Sequence, residues 1–168
     1  MNQELTPHQR QFLSIVNNRF KFRLFLLRRL PLAWITGLKV ERMTPQEARV
    51  SVRYGYWTQN PFRSIYFAVL AMAAELSTGL LGFLQVYQRS PRVSMLVTDL
   101  QAKYSKKAVG RITFSCSDGE AVARAVEESI ASGEGQVVPC TSIGRNEEGE
   151  EVARLVITWS FKARASKG

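Results

Sequence analysis

From Ser64 to Leu84 the chain is apolar on nearly every helical face. Ile65, Phe67, Val69, Leu70, Met72, Leu76, Leu80, Leu81, Phe83 and Leu84 are interrupted by a single charged side chain, Glu75. At about 1.5 Å of rise per residue such a helix spans a bilayer. A charge at its centre costs a few kcal/mol in lipid, however, and long amphipathic stretches flank it on both sides. A helix apolar all round is equally the sequence of the middle of a water-soluble domain, wrapped on most sides. That reading requires the rest of the chain to supply the wrapping.

The flanks supply it. Leu38 to Tyr54 reads as two short strands around the turn Thr44-Pro45-Gln46-Glu47, and residues 48–54 alternate strictly, as a half-buried strand does. Residues 56–61 read as a loop. After Ser90-Pro91, strands are expected over 95–104, 109–117, 136–143 and 151–164. A short helix after Ser117-Asp118, with Val122, Val126 and Ile130 on one face, interrupts them. Strands grouped after one buried helix indicate an α+β domain with an antiparallel sheet, not a βαβ series. The 168 residues fit one domain, read as an N-terminal helix over 1–30 and a core over 38–164.

The N-terminal segment reads as one helix from the Thr6-Pro7 start to Pro31, with Phe12, Val16, Phe20, Leu24 and Leu27 forming a single apolar stripe. No acid occurs between Glu4 and Glu41, whereas Arg10, Arg19, Lys21, Arg23, Arg28 and Arg29 are basic. Two placements follow: docking on the domain with a solvated basic face, or weak contact with an anionic membrane surface. The polar start carries no signal-peptide pattern, and the expected location is cytoplasmic.

Composition narrows the chemistry. The formal charge of +9 attracts polyanions without choosing among them. Neither a zinc finger nor an RNP-like motif is present, so nucleic acid is not expected as a partner. Two cysteines, Cys116 and Cys140, do not make a disulfide framework. With one histidine, His8, they do not make a zinc site either, so no metal is expected. A triad would have to use His8, which sits in an exposed-looking leader. Catalysis, if present, rests on carboxylates and backbone groups.

The run Asn60-Pro-Phe-Arg-Ser-Ile-Tyr66-Phe67-Ala68, followed by Glu75, resembles the central-helix region of hotdog-fold thioesterases. That superfamily commonly shows an Asn, a short loop, His-Gly-Gly at the helix start and an acid about two turns on. Here Asn60 falls on the Asn, Tyr66 on the His, Phe67 and Ala68 on the glycines, and Glu75 on the acid. The likeness covers roughly residues 38–164. It is closest to an uncharacterised branch that lacks His-Gly-Gly. It implies a hotdog fold, with an antiparallel sheet wrapped around the long helix, and a homodimer or a dimer of dimers.

The resemblance implies hydrolysis of an acyl-CoA or acyl-carrier thioester, with coenzyme A entering only as part of the substrate. Glu75 would act as base or nucleophile, the Phe67 N–H would hold the oxyanion, and Asn60 would support the site. Tyr66 and Ala68 would meet substrate, and Arg63, Lys103, Lys106 and Lys107 would meet its phosphates. The residues themselves agree in part: a helix start presents unpaired N–H groups and partial positive charge, and an apolar setting makes a carboxylate a better base. Alternatives stand beside each role. Glu75 fits a buried acid satisfied by Thr, Ser or Tyr, or a residue at a solvated interface, Asn60 a loop or capping residue, and the lysines a solvated turn. Bulky Tyr66 and Phe67 also fit a protein that binds fatty acyl or acyl-CoA ligands without turning them over.

Overall fold

The computed structural model describes residues 4–164. Among these, six strands form one antiparallel sheet in the order β1-β2-β4-β5-β6-β3. They are β1 (Lys39–Met43), β2 (Ala48–Arg53), β3 (Val93–Tyr104), β4 (Arg111–Cys116), β5 (Gln136–Arg145) and β6 (Glu151–Ala163). The helices are α1 (Pro7–Val16), α2 (Arg19–Arg29), α3 (Pro31–Ile35), α4 (Phe67–Val86) and α5 (Gly119–Ser132). The sheet curls around α4, which is the hotdog arrangement.

Alternation decides which sheet face packs on α4. Val50 and Val52 of β2, Ile112 and Phe114 of β4, and Leu155, Ile157 and Phe161 of β6 all face inward and are essentially solvent-free. Against them lie Leu70, Ala73, Ala74, Leu80, Leu81 and Leu84 of α4. The helix is therefore the core of the domain. Two of its buried hydroxyls are paired: Ser77 meets Ser142 at 2.7 Å, and Trp159 Nε1 donates to Thr78 Oγ1 at 2.9 Å. It starts at Phe67 and ends at Val86, later at both ends than the apolar run; before its start Ser64 and Ile65 are buried, and Ile65 bridges to Gln59. The α5 start packs so tightly that a Cβ on Gly119 would lie 2.1 Å from the Pro45 carbonyl oxygen.

The single N-terminal helix expected over 1–30 is corrected to two helices and a short third. The described residues begin after Gln3, so the first three lie outside them. The break falls at Asn17-Asn18. The Asn17 amide donates to the Met43 carbonyl and accepts from the Met43 N–H, both at 2.9 Å, which pins the corner to β1. Asn18 caps α2 by accepting from the Lys21 N–H at 3.0 Å. The corner resets the helical register. Phe12 and Val16 of the expected stripe are buried, but α2 turns Phe22 and Leu26 inward and leaves Phe20, Leu24 and Leu27 facing out. Gln9 bonds Gln85 at 3.0 Å, and the Phe12 ring meets Phe83 edge-on at 5.2 Å. These contacts hold α1 on the open side of α4.

One edge of the sheet, β3, is long and bare. A bulge between Val97 and Asp99 shifts its register, after which Leu100, Ala102 and Tyr104 pair with Ile157, Leu155 and Ala153 and face the helix side. Yet Leu100 and Tyr104 remain exposed, as does Leu96 before the bulge. An uncovered strand edge with apolar neighbours is a pairing surface.

Candidate active site

The start of α4 is built by the loop before it. Asn60 Oδ1 accepts from the N–H groups of Phe62 (3.0 Å) and Ser64 (3.2 Å) and from the Ser64 hydroxyl. The loop is thereby folded tightly enough to hold Arg63 at φ 59°. Asn60 thus organises the turn, the loop role that stood as its alternative. The Ile65 N–H then donates to Ala108 O at 2.8 Å and the Tyr66 N–H to Thr58 O at 2.7 Å, fixing where the helix begins. Tyr66 is the N-cap residue and supplies no side-chain cap. Among the described residues the N–H groups of Phe67 and Ala68 have no acceptor. They carry the unmet donors and partial positive charge of a helix terminus.

Aromatic rings surround these donors. Tyr66 and Phe67 meet edge-on at 4.9 Å, Phe67 and Tyr104 at 6.1 Å, and the Tyr104 hydroxyl donates to Phe67 O at 3.3 Å. Burial raises the Tyr104 pKa, so the phenol stays protonated as that donor. The basic candidates lie along the chain beside this end. Lys106 is held by Glu150 in an exposed ion pair, whereas Arg63, Lys103 and Lys107 form none among the described residues.

Glu75 lies on the face of α4 that looks toward α1–α2 and the β3–β6 end of the sheet. Its carboxylate folds toward the C-terminal end of the helix: a Cβ on Gly79 would sit 3.3 Å from Glu75 Oε1 and 3.2 Å from Trp159 Cζ2. Among the described residues no group donates a hydrogen bond to that carboxylate. Thr78, just under one turn on, donates instead to the Glu75 backbone carbonyl at 3.0 Å. Of the two structural alternatives for Glu75, satisfaction by Thr, Ser or Tyr is absent among the described residues, whereas the side chain is only partly buried, as at a solvated position. Burial without compensation raises the Glu75 pKa. The side chain opens on a cavity of about 860 Å³ between α1–α2, α4 and strands β3 and β6, lined by Phe12, Phe25, Phe83, Met95 and Trp159.

The structure does not bring Glu75 and the Phe67 N–H together within one chain. Eight residues of α-helix separate them by about 12 Å, and the carboxylate turns away from the helix start. A single carbonyl within hydrogen-bond reach of both needs them about 6 Å apart. Asn60 and the basic residues belong with the helix start, and Glu75 belongs with the apolar cavity.

The cavity's aromatic lining was not foreseen, because Phe12, Phe25 and Trp159 reach Glu75 only through tertiary packing. Nor was the cluster of Cys116, Asp118 and Cys140, whose candidate ligand atoms lie within 4.8 Å of one another. It is a buried hydrogen-bonded knot. Asp118 accepts from the Thr141 N–H at 2.7 Å and from Cys116 at 3.4 Å. Hydrogen bonding with Cys140, and then burial, push the Cys116 thiol well up, away from the thiolate a metal requires.

Comparison with known proteins bears on the whole chain. A Pseudomonas aeruginosa protein described as a probable thioesterase has 21% sequence identity and a TM-score of 0.73, covering 88% of this chain and 97% of its own. A Chlorobaculum tepidum protein of unknown function superposes with TM-score 0.73 at 17% identity, over 95% and 98% of the two chains. A Haemophilus influenzae thioesterase does so with TM-score 0.63 at 13% identity, over 89% and 94%. At these identities the likeness establishes the fold. No match was found among functionally curated proteins. The model of a family described as a domain of unknown function, DUF4442, matches residues 19–161, most of the sequence, and the chain therefore belongs to that family, built on the hotdog fold.

Proposed function

We propose that this protein hydrolyses an acyl thioester, carried by coenzyme A or by an acyl-carrier protein, as a cytoplasmic homodimer or a dimer of dimers. One observation carries the reading: a half-buried carboxylate with no protein donor among the described residues opens on a largely apolar cavity of about 860 Å³. The cavity suits an acyl chain, and the carboxylate is a base of raised pKa beside it. The helix start offers the complementary half, two N–H donors near Arg63, Lys103 and Lys107, where an oxyanion and phosphates would be received.

The separation of about 12 Å along α4 makes two copies necessary for the enzymatic reading. A second copy joined at the bare β3 edge, related by a two-fold axis, runs its α4 the opposite way. That brings one copy's helix start toward the other's Glu75. The exposed Leu96, Leu100, Tyr104, Tyr66 and Phe67 support a covered interface there. In hydrolysis Glu75 takes a proton from water, and the oxygen attacks the thioester carbonyl. The oxyanion accepts from the Phe67 N–H. The carbon–sulfur bond then breaks, and the thiolate leaves with the proton. Direct attack by Glu75, through an acyl anhydride later opened by water, uses the same atoms.

A second reading, ligand binding without turnover, is favoured by one feature: Tyr66 and Phe67 crowd the donors where hotdog thioesterases often have His and Gly. Thiol release measured over a panel of acyl-CoA chain lengths, with native mass spectrometry of the same samples, separates the two. Release that Glu75→Gln lowers by about two to four orders of magnitude supports hydrolysis. Bound acyl-CoA with no release supports the binding reading. Neither release nor binding overturns both.

A further inference from the structure

We infer that the outward face of α2 and α3 seats the protein on an anionic lipid bilayer. With successive residues about 100° apart around a helix, the core-facing side of α2 is set by Phe22 and Leu26, which are 3% and 0% exposed. Phe20, Leu24 and Leu27 point the opposite way and are 80%, 39% and 46% exposed. Leu30 at the α2–α3 junction, which also borders the cavity beside Glu75, and Leu32 and Ile35 of α3 are exposed as well. Six large apolar side chains exposed to water within sixteen positions is a density that marks an interaction surface.

Charge selects the partner. On the same wheel Arg19 and Arg23 flank the ridge of Phe20, Leu24 and Leu27 on one side, and Lys21 and Arg28 on the other. No acid lies between Glu4 and Glu41. Beside α2, Arg19 and Arg23 also line a cavity of about 470 Å³ with Lys39, Arg53 and Arg111. Its one acid, Glu41, is engaged by the Ser51 hydroxyl. Among the described residues none of those five cations forms an ion pair. An apolar ridge between basic flanks is the pattern of a helix lying in the headgroup boundary, with apolar side chains in the acyl region and cations among the phosphates. A second copy is a poor occupant. Two-fold pairing of the ridges would set Arg19, Lys21, Arg23 and Arg28 against themselves.

The test is vesicle sedimentation of the full chain, with phosphatidylcholine alone and with phosphatidylcholine mixed with phosphatidylserine, at low and raised salt. The protein is expected to sediment with the mixed vesicles, and less so as salt rises. Phe20→Ser/Leu24→Ser/Leu27→Ser should lower the partition at least about tenfold, and Lys21→Gln/Arg28→Gln should lower it about fivefold per residue. All five side chains are exposed, so melting temperatures should stay within a few degrees of wild type, which checks that folding is intact. Failure of the wild-type chain to bind mixed vesicles overturns the inference. So does binding that is equal on neutral and mixed vesicles, or that neither variant reduces. A change of oligomeric mass in the triple serine variant without lipid also overturns it, because a second copy would then cover the ridge. No arm reads thioester turnover, so this inference and the hydrolase reading fail separately.

Discussion

Glu75→Gln should make the protein more stable and less active at once. The carboxylate is half-buried, has no donor among the described residues, and has its pKa raised from an ordinary 4.5 by that burial. A raised pKa means that the folded state binds the proton more tightly than the unfolded chain. Below the unfolded value both states are protonated and Glu75 exerts no penalty. As pH rises from there through the folded value, the native state holds more protons than the unfolded one, and stability is lost. Glutamine is neutral throughout and nearly the same shape. Relieving the partial desolvation of this charge is worth about 1 kcal/mol, and for a domain of this size that is a rise of about 2–4 °C in Tm. Thermal unfolding of both proteins from pH 4 to pH 8 is the assay. The gain should be full at pH 8 and vanish toward pH 4. A variant less stable than wild type at pH 8 would mean that the carboxylate has a partner in solution. A gain independent of pH would mean that charge is not its cause. Either result refutes the reasoning.

Other consequences follow from the same geometry. Wild-type turnover should rise with pH through a midpoint above the ordinary carboxylate value, since the base must be ionised; a pH–rate profile checks it. Trp159→Phe leaves Thr78 without its indole donor and should lower stability by about 1–2 kcal/mol, read by denaturant unfolding. Asn17→Ala removes both bonds to the Met43 backbone and should cost about 2 kcal/mol, with increased hydrogen exchange at the α1–α2 corner. Gly119→Ala drives a methyl group into the Pro45 carbonyl and should cost about 3 kcal/mol, measured by Tm.

The sheet and the central helix were legible because each has a period. Val50 and Val52 alternate with Arg49, Ser51 and Arg53, and α4 meets the sheet mainly through apolar side chains, Ser77 and Thr78 apart. The Asn17-Asn18 corner was not legible from periodicity, since Phe12, Val16, Phe20, Leu24 and Leu27 keep helical spacing straight across it. The usable signal was the asparagine pair itself, because Asn competes for backbone groups inside a helix and is favoured at caps. Glu75 stood out as the one charge in an apolar helix. Its surroundings did not, because Phe12, Phe25 and Trp159 come from helices and a strand distant in sequence. The gap of about 12 Å between Glu75 and the helix start needed only the helical rise, but whether the acid points toward that start is decided by Gly79 and Trp159.

The two proposals meet in α2. Phe22 and Phe25 turn inward and line or border the cavity beside Glu75, while Phe20, Leu24 and Leu27 turn outward on the same two and a half turns of helix. The element that roofs the acyl cavity is then the element that would lie in the headgroup boundary. A long acyl chain is held by a bilayer through the same apolar burial that the cavity offers, roughly 0.8 kcal/mol per methylene in each. Transfer between the two is therefore nearly neutral for the chain, whereas escape into water is not. A roof seated in lipid shortens the aqueous gap the chain must cross. If both proposals hold, the serine substitutions on the ridge should leave turnover of a water-soluble short-chain thioester unchanged and lower turnover of a long-chain thioester presented in anionic vesicles. Equal loss on both substrates would separate the ridge from substrate delivery and tie it to the fold of the cavity instead.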